Sequence, residues 1–389
     1  MLLYIFALSG CLSKPEPPSG DFNGKVIDSY TKEPVPEVAV TLNGNRVVTD
    51  IQGRFAIDLL PPGEYDISMS RDWYYPKTEH LRHVGRTDLW TFELTSEPIN
   101  GKILYSGDRD KNWEIYELNL MDRSVARLTY LSNSSETNPV KLPDRVMFQT
   151  DCNGYDEIFN YDFINNPIKF TCGSLRKMEH PSVDSFGSKI VFKTGDFSPG
   201  QICFNVMNNA QFIKISSGYN PVINPEGTKI AIVNGTYEKL LIYDVSGMSI
   251  TKEFNFYSAP QKLRINNPCW RPGSNLIALE AYQDSGGPRS IYIINVDSDT
   301  ASLQPITFSQ RYNEQHHHPC WSSRGGLLFF SGNIVYSSRE DIYCVKYDNS
   351  DGIFQTVKNN ASWLMVSSGS GDKKYPSWGG ESTAENIPK

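Results

Sequence analysis

The sequence predicts an all-β protein: a small β-sandwich followed by a six-bladed β-propeller. Three observations predict it. Tyr and Pro are abundant, at 21 and 24 of 389 residues, with almost no sustained 3.6-residue hydrophobic period along the chain. Short alternating runs bounded by turn residues crowd the segment 22–96. Beyond it a polar residue followed by proline recurs at Asn138-Pro139, His180-Pro181, Asn220-Pro221, Asn267-Pro268, His318-Pro319 and Tyr375-Pro376, with the prolines 42, 40, 47, 51 and 57 residues apart. That period suits four-stranded propeller blades. Composition narrows the function. Lys plus Arg is 37 against 44 Asp plus Glu, a net charge of −7, which lacks the basic balance of a nucleic-acid binder. With 21% charged and 12% aromatic residues the chain is too apolar to be disordered. No internal apolar run approaches the length of about 18 residues that a membrane span needs.

Leu2 to Leu8 are almost wholly apolar and lead into Leu8-Ser9-Gly10-Cys11. This resembles a lipoprotein signal peptide with its lipobox, a motif whose small residues fit a peptidase pocket. The resemblance implies cleavage before Cys11 and a diacylglyceryl group on its thiol. It departs from the pattern in having no Lys or Arg before a rather short apolar run. Residues 1–11 are thus expected to be signal and lipobox. Residues 12–21, with Pro15, Pro17 and Pro18, are expected to be an extended tether. The six other cysteines, Cys152, Cys172, Cys203, Cys269, Cys320 and Cys344, form no C-x-x-C pair, so a zinc ribbon is not supported; an even count in an exported protein could hold disulfides, but so sparse a set reads first as small buried residues on strands.

Segment 22–96 opens with the alternating run Gly24 to Asp28 and a turn at Thr31 to Val35. Val38 to Leu42 alternates again, ending in a hairpin signal at Asn43-Gly44-Asn45. Gly53 stands where the chain turns back into Phe55 to Leu59, and Pro61-Pro62-Gly63 feeds Tyr65 to Met69. About six strands in so short a span imply a small sandwich. Gly24-Lys25-Val26, Pro34-Val35, Thr49-Asp50, Gly53-Arg54-Phe55 and Leu60 to Tyr65 together resemble the carboxypeptidase regulatory-like family, a transthyretin-like sandwich. That resemblance implies a spacer or interaction module. His80 and His83, near Trp73, Tyr74 and Tyr75, could suggest a ligand site, but read first as loop residues at the sandwich edge.

In segment 97–380 each proline pair precedes apolar runs such as Lys189 to Phe192, Lys229 to Ile232 and Leu327 to Phe330, then a second set such as Leu241 to Tyr243 and Asp341 to Tyr343. A blade buries its two apolar faces only against neighbouring blades, so the repeats must close into a ring. The first unit begins at Gly101 to Tyr105 without a proline strand, while Tyr375 to Trp378 stands alone near the end. The last strand is therefore expected to complete the first blade, giving six. Residues 381–389 form a tail. Asn112 to Tyr116 and Cys320-Trp321-Ser322 are among the motifs that make these repeats resemble the TolB-type propeller. The α/β domain found in that family has no counterpart in segment 22–96, so its partners do not carry over. Prolyl oligopeptidase-like enzymes also contain such propellers, but no Gly-x-Ser-x-Gly elbow with a hydrolase domain follows here.

The residues preceding the six prolines, Asn138, His180, Asn220, Asn267, His318 and Tyr375, fall just ahead of the strands expected to be innermost. In equivalent blades they would ring one mouth of the central channel, the candidate binding site. Capping of strand starts explains them equally well. Asn313 to His318 clusters imidazoles that suit a borderline metal. The segment is similar to the Gln and His metal cluster of the oligogalacturonate lyase family, which implies His316, His318 and Gln315 as ligands. The spacing differs, and that family has seven blades. On an extended strand His316 and His318 would share a side and His317 would not. Asp108, Asp110, Asp151, Asp156, Asp297 and Asp299 recur near turns, where turn chemistry accounts for them more simply than calcium does. The expected function is non-catalytic: a membrane-anchored, extracytoplasmic lipoprotein, in the periplasm or at the cell surface, that binds or scaffolds a protein, peptide or glycan. No cofactor is expected. The competing class is a metal-dependent polysaccharide lyase or hydrolase built on His316 and His318.

Overall fold

The computed structural model describes residues 20–380 apart from 87, 132, 165–166, 171–176, 196–198, 208, 210, 259–261, 310–312, 336–337, 348–362 and 368. Cys11, most of the tether, Cys172 and the tail lie outside the described residues. Two compact units form: one runs to Thr95 except for residues 30–33, which group with the second unit from Ser96 onward.

The first unit is a sandwich of two sheets. One sheet sets Gly20–Asp28 between Arg54–Leu60, antiparallel, and Asp88–Leu94, parallel. The other orders Asn45–Val48, Ala39–Leu42, Gly63–Ser70 and Lys77–His83, all antiparallel. The first strand starts at Gly20, so the sandwich takes in the last two residues expected of the tether. Alternate residues Phe22, Val26, Val40, Leu42, Phe55, Ile57, Ile67 and Met69 face inward and are buried. Gly53 is required by its turn, because its φ is 71° and a Cβ would lie 2.4 Å from the Val26 carbonyl oxygen. His80 and His83 lie on a strand, not a loop, and on opposite faces. His80 is exposed beside Asp66 at 2.9 Å, and His83 is buried.

The second unit is all-β, with six four-stranded blades. Blade 1 orders Val125–Arg127, Glu114–Asn119, Lys102–Gly107 and, innermost, Lys373–Gly380, so strands from the two ends of the repeat region pair in one sheet. Blade 2 runs outward from Glu136–Lys141 through Val146–Thr150 and Glu157–Tyr161 to Ile168–Lys169. Blades 3 and 4 form one seven-stranded sheet, since Ile213–Ile223 closes blade 3 on Gly200–Val206 and then opens blade 4 on Lys229–Val233. Blade 5 begins with Leu263–Trp270 and blade 6 with His316–Trp321.

The middle strands are continuous apolar runs because both faces are covered. In Lys189–Thr194, Ile190 and Phe192 pack into the blade 2 interface while Val191 packs into the blade 4 interface. In Lys229–Val233 the same alternation sends Ile230 and Ile232 one way and Ala231 and Val233 the other. Where blade 6 meets blade 1, Phe329 and Trp378 approach to 5.9 Å, and a buried ion pair joins Lys373 to Asp341 at 2.7 Å.

Candidate binding site at the channel mouth

The six polar residues do not stand ahead of the inner strands as expected. They lie within them, at a β-bulge repeated in every blade. In blade 2, Thr137 pairs with Gln149 and Val140 with Met147, leaving Asn138 and Pro139 opposite Phe148 alone. The same two-against-one step sets His180-Pro181 against Phe192, Asn220-Pro221 against Ile232, Asn267-Pro268 against Leu279, His318-Pro319 against Phe330 and Tyr375-Pro376 against Tyr105. All six first residues have left-handed backbone, with φ of 51°, 51°, 45°, 44°, 51° and 53° in chain order. Asn and His tolerate this region better than most residues. Proline suits the second position because the bulge interrupts the ladder, leaving no N–H to supply. The opposing side chains are buried, so packing holds the strained turn in place.

The bulges bring all six residues to one channel. A space of ≈ 220 Å³ is lined by residues of the six inner strands alone, including every bulge residue and its proline. A second cavity of ≈ 410 Å³ is lined by His180, Asn220, Asn267, His318 and Tyr375, but not Asn138. Its other walls are Lys193, Tyr219, Tyr237, Asn266, Arg289, His317, Glu340 and Lys374. Both Cys269 and Cys320 face the channel beyond the bulge. Cys203, Cys320 and Cys344 are buried, Cys152 is exposed, and all four are free thiols, as is Cys269.

Second-strand side chains stitch the ring together across blades. The Gln149 amide oxygen accepts from Asn138 Nδ2 at 3.0 Å and from the His180 backbone N–H of the next blade at 3.1 Å. Glu280 does the same between blades 5 and 6. It accepts from Asn267 Nδ2 and, at 2.8 Å, from the His318 backbone N–H. Its other oxygen lies 3.4 Å from His317 Nδ1 and 3.3 Å from Arg289 Nη1. Burial opposes the charge on Glu280, but the hydrogen bond from His317 and the neighbouring imidazoles and Asn267 outweigh it and hold the carboxyl down to about 2. Asn220 Nδ2 donates to Asn266 Oδ1 at 2.7 Å and to Asn267. Tyr219 and Tyr237 stack at 4.5 Å with planes 10° apart. The rings of His318 and Tyr375 lie 4.1 Å apart. Burial lowers the pKa of His180 to about 4 and that of His318 to about 3, so both are neutral near pH 7.

The histidine cluster divides differently from the alternation expected of it. The left-handed turn at His318 breaks the pleat, so His317 and His318 both line the mouth while His316 does not. His316 is buried with Nδ1 2.7 Å from Thr307 Oγ1 and Nε2 3.0 Å from Glu314, so both ring nitrogens are engaged. His316 and His318 therefore do not make a shared ligand pair. Gln315 is turned to the Arg289 backbone N–H at 3.2 Å. Among the described residues no group of three or more His, Cys, Asp or Glu side chains is placed to hold a metal. Several of the turn aspartates tie loops: Asp151 accepts the Ser135 N–H at 2.7 Å, Asp108 that of Asp372 at 2.7 Å, and Asp297 the Asn275 side-chain amide at 2.8 Å.

Sequence reasoning missed Lys193, Tyr219, Tyr237, Asn266, Arg289 and Lys374. Tyr219, Asn266, His317 and Lys374 each immediately precede a bulge residue, a regularity the proline pairs could have flagged. Lys193 on a second strand, and Tyr237 and Arg289 in the connections just ahead of third strands, have no such mark.

Residues 21–95 match the carboxypeptidase regulatory-like domain. A stretch of 84 residues is 33% identical to the TonB-dependent transporter Oar of Myxococcus xanthus; it spans 20% of this chain and only 8% of that protein. Among solved structures, TolB from Acinetobacter baumannii is similar with a TM-score of 0.54 at 13% identity, over 82% of this chain and 80% of that one. An oligogalacturonate lyase from Vibrio parahaemolyticus reaches a TM-score of 0.44 at 15% identity, over 63% and 72% of the two chains. At these identities the structural likeness speaks to fold. The chain thus joins a carboxypeptidase regulatory-like domain to an all-β unit with the fold of the TolB propeller.

Proposed function

We propose that this protein is a non-catalytic component of the cell envelope whose propeller mouth binds a segment of another envelope molecule, a protein, peptide or glycan, with the sandwich acting as a spacer or interaction module. One observation carries the reading. The mouth cavity of ≈ 410 Å³ gathers aromatic faces and polar side chains from five blades, the concave, convergent arrangement expected of a binding site. The TolB-like fold and the stretch shared with the TonB-dependent transporter Oar support an envelope setting. A lipid anchor at Cys11 completes the proposal: Cys11→Ala is expected to release the protein from membranes, and retention would overturn the anchor.

The binding role is tested by photo-crosslinking from Tyr219 and Tyr375 in intact cells, with mass spectrometry of the captured species. One dominant envelope partner, captured from these positions and not from the opposite end of the channel, is the expected result. No captured partner, or a stoichiometric transition metal in the purified protein that is lost on His316→Ala, would overturn the non-catalytic reading.

A further inference from the structure

The mouth is not equivalent around its circumference, and its blade 5 to 6 sector has a specific chemistry. The residues paired opposite the position just before each bulge are Ser106, Gln149, Lys193, Val233, Glu280 and Ser331. Glu280 is the one carboxylate among them. It is fully buried, and both oxygens are occupied by the bonds described above. Glu280 therefore orients the groups around it and has no oxygen left to offer a ligand.

Arg289 is the group it orients most tellingly. The guanidinium lies 4.6 Å over the Tyr282 ring and gives Glu280 only its Nη1, while the side chain remains 33% exposed at the cavity wall. Among the described residues Nε and Nη2 make no hydrogen bond, so the donors of a planar fork are left for a ligand. Asn266 uses Oδ1 to accept from Asn220, which leaves its Nδ2 as another donor on the same cavity. Across the mouth Lys374 lies 3.4 Å from Glu340, beside Tyr375. The mouth is thus rich in donors, yet its cations are already matched: Arg289 by Glu280, and Lys374 by Glu340 and by Asp372 at 3.9 Å. A singly charged planar acceptor fits this better than a multiply charged phosphate.

We propose that the blade 5 to 6 sector of the mouth is a carboxylate-binding subsite, with Arg289 as its bidentate donor, Asn266 beside it and Glu280 as the positioning residue. This rests on the reading of the mouth as a binding site and narrows its ligand to one bearing a carboxylate. Two sources share that chemistry, an acidic peptide and a uronic-acid glycan.

The test titrates the purified full chain with a blocked Gly-Glu-Gly-Glu peptide, its Gln counterpart, and tetragalacturonate. The expected result is that one acidic probe binds at millimolar concentration or below, and which one identifies the source. The Gln peptide should bind at least about tenfold more weakly than the Glu peptide if the source is a peptide. Arg289→Gln should weaken the acidic probe at least about tenfold, and Arg289→Lys, which keeps a cation beside Glu280, should recover only part of the loss because the fork is gone. Thermal midpoints of both variants control for folding. Measurable and equal binding of the Glu and Gln peptides, unchanged binding by both Arg289 variants, or no binding of either acidic probe would overturn the subsite. The crosslinking from Tyr219 and Tyr375 reads the mouth independently, so the subsite can fail while the mouth survives.

Discussion

Replacing Lys373 with Ala removes the cation that seats the last strand of blade 1. Its ammonium is buried, donates to Asp341 Oδ1 at 2.7 Å, and also reaches the carbonyl oxygens of Gly369 at 3.1 Å and Gly371 at 3.0 Å. Burial raises the pKa of Asp341 and lowers that of Lys373, so each group needs the other to keep its charge. Removing one member of a buried pair costs about 3–5 kcal/mol. Asp341 keeps Arg339 at 2.8 Å, which puts the loss at the lower end, about 3 kcal/mol. At about 2 °C per kcal/mol for a domain of this size, the melting temperature should fall by ~6 °C. The assay is thermal and urea unfolding of wild type, Lys373→Ala and the double variant Lys373→Met with Asp341→Leu. An apolar pair of similar volume should unfold within about 1 kcal/mol of wild type. A melting temperature unchanged in Lys373→Ala would refute the reasoning, and a double variant as unstable as the single would refute it too, assigning the loss to packing of the strand.

Glu136, buried at the junction of blades 1 and 2, has its pKa pushed up to about 8 by burial and by the adjacent Glu114. A carboxyl whose folded pKa is raised favours the fold most at low pH, so wild type should lose urea stability as pH rises from about 4.5 to about 8, and Glu136→Gln should flatten that slope; parallel slopes would count against it. At Asn220, with φ of 45°, Val should destabilise more than Gly by about 1–2 kcal/mol in urea unfolding, since both lose the amide bonds and only Val suffers from the backbone; equal losses would remove the strain argument. Brief alkylation of the native protein followed by peptide mapping should label Cys152 ahead of Cys203, Cys320 and Cys344, and labelling of the three buried thiols at the same rate would contradict their burial.

The blade count was legible in the sequence because the bulge leaves a chemical trace. It needs a residue that accepts left-handed backbone and then one without an N–H, and Asn or His before Pro meets both needs in five blades of the six. The buried strands were legible as apolar runs, since each contacts two neighbours. What escaped depends on register. Glu280 meets the backbone of His318, 38 residues away, because the second strand of one blade reaches the bulge of the next. No local pattern around Glu280 or Arg289 announces that. The placement of His316 and His318 on one side failed for the converse reason: alternation was assumed through a position where the bulge rotates the chain. In the sandwich, the placement of His80 and His83 in a loop missed a strand, Lys77–His83, whose alternation is masked by charged residues on its outer face.

Pairing Lys373–Gly380 with Lys102–Gly107 also has a temporal side. The partner of an early strand is made roughly 270 residues later, which at ribosomal rates of about 5–20 residues per second means an interval of ~15–50 s. Throughout it blade 1 presents a bare inner edge, with backbone donors and acceptors open to any passing strand. For a chain that leaves the cytosol, export before Lys373–Gly380 joins would keep that edge from being displayed in a folded form inside the cell, and a chain truncated ahead of Lys373 would display it permanently.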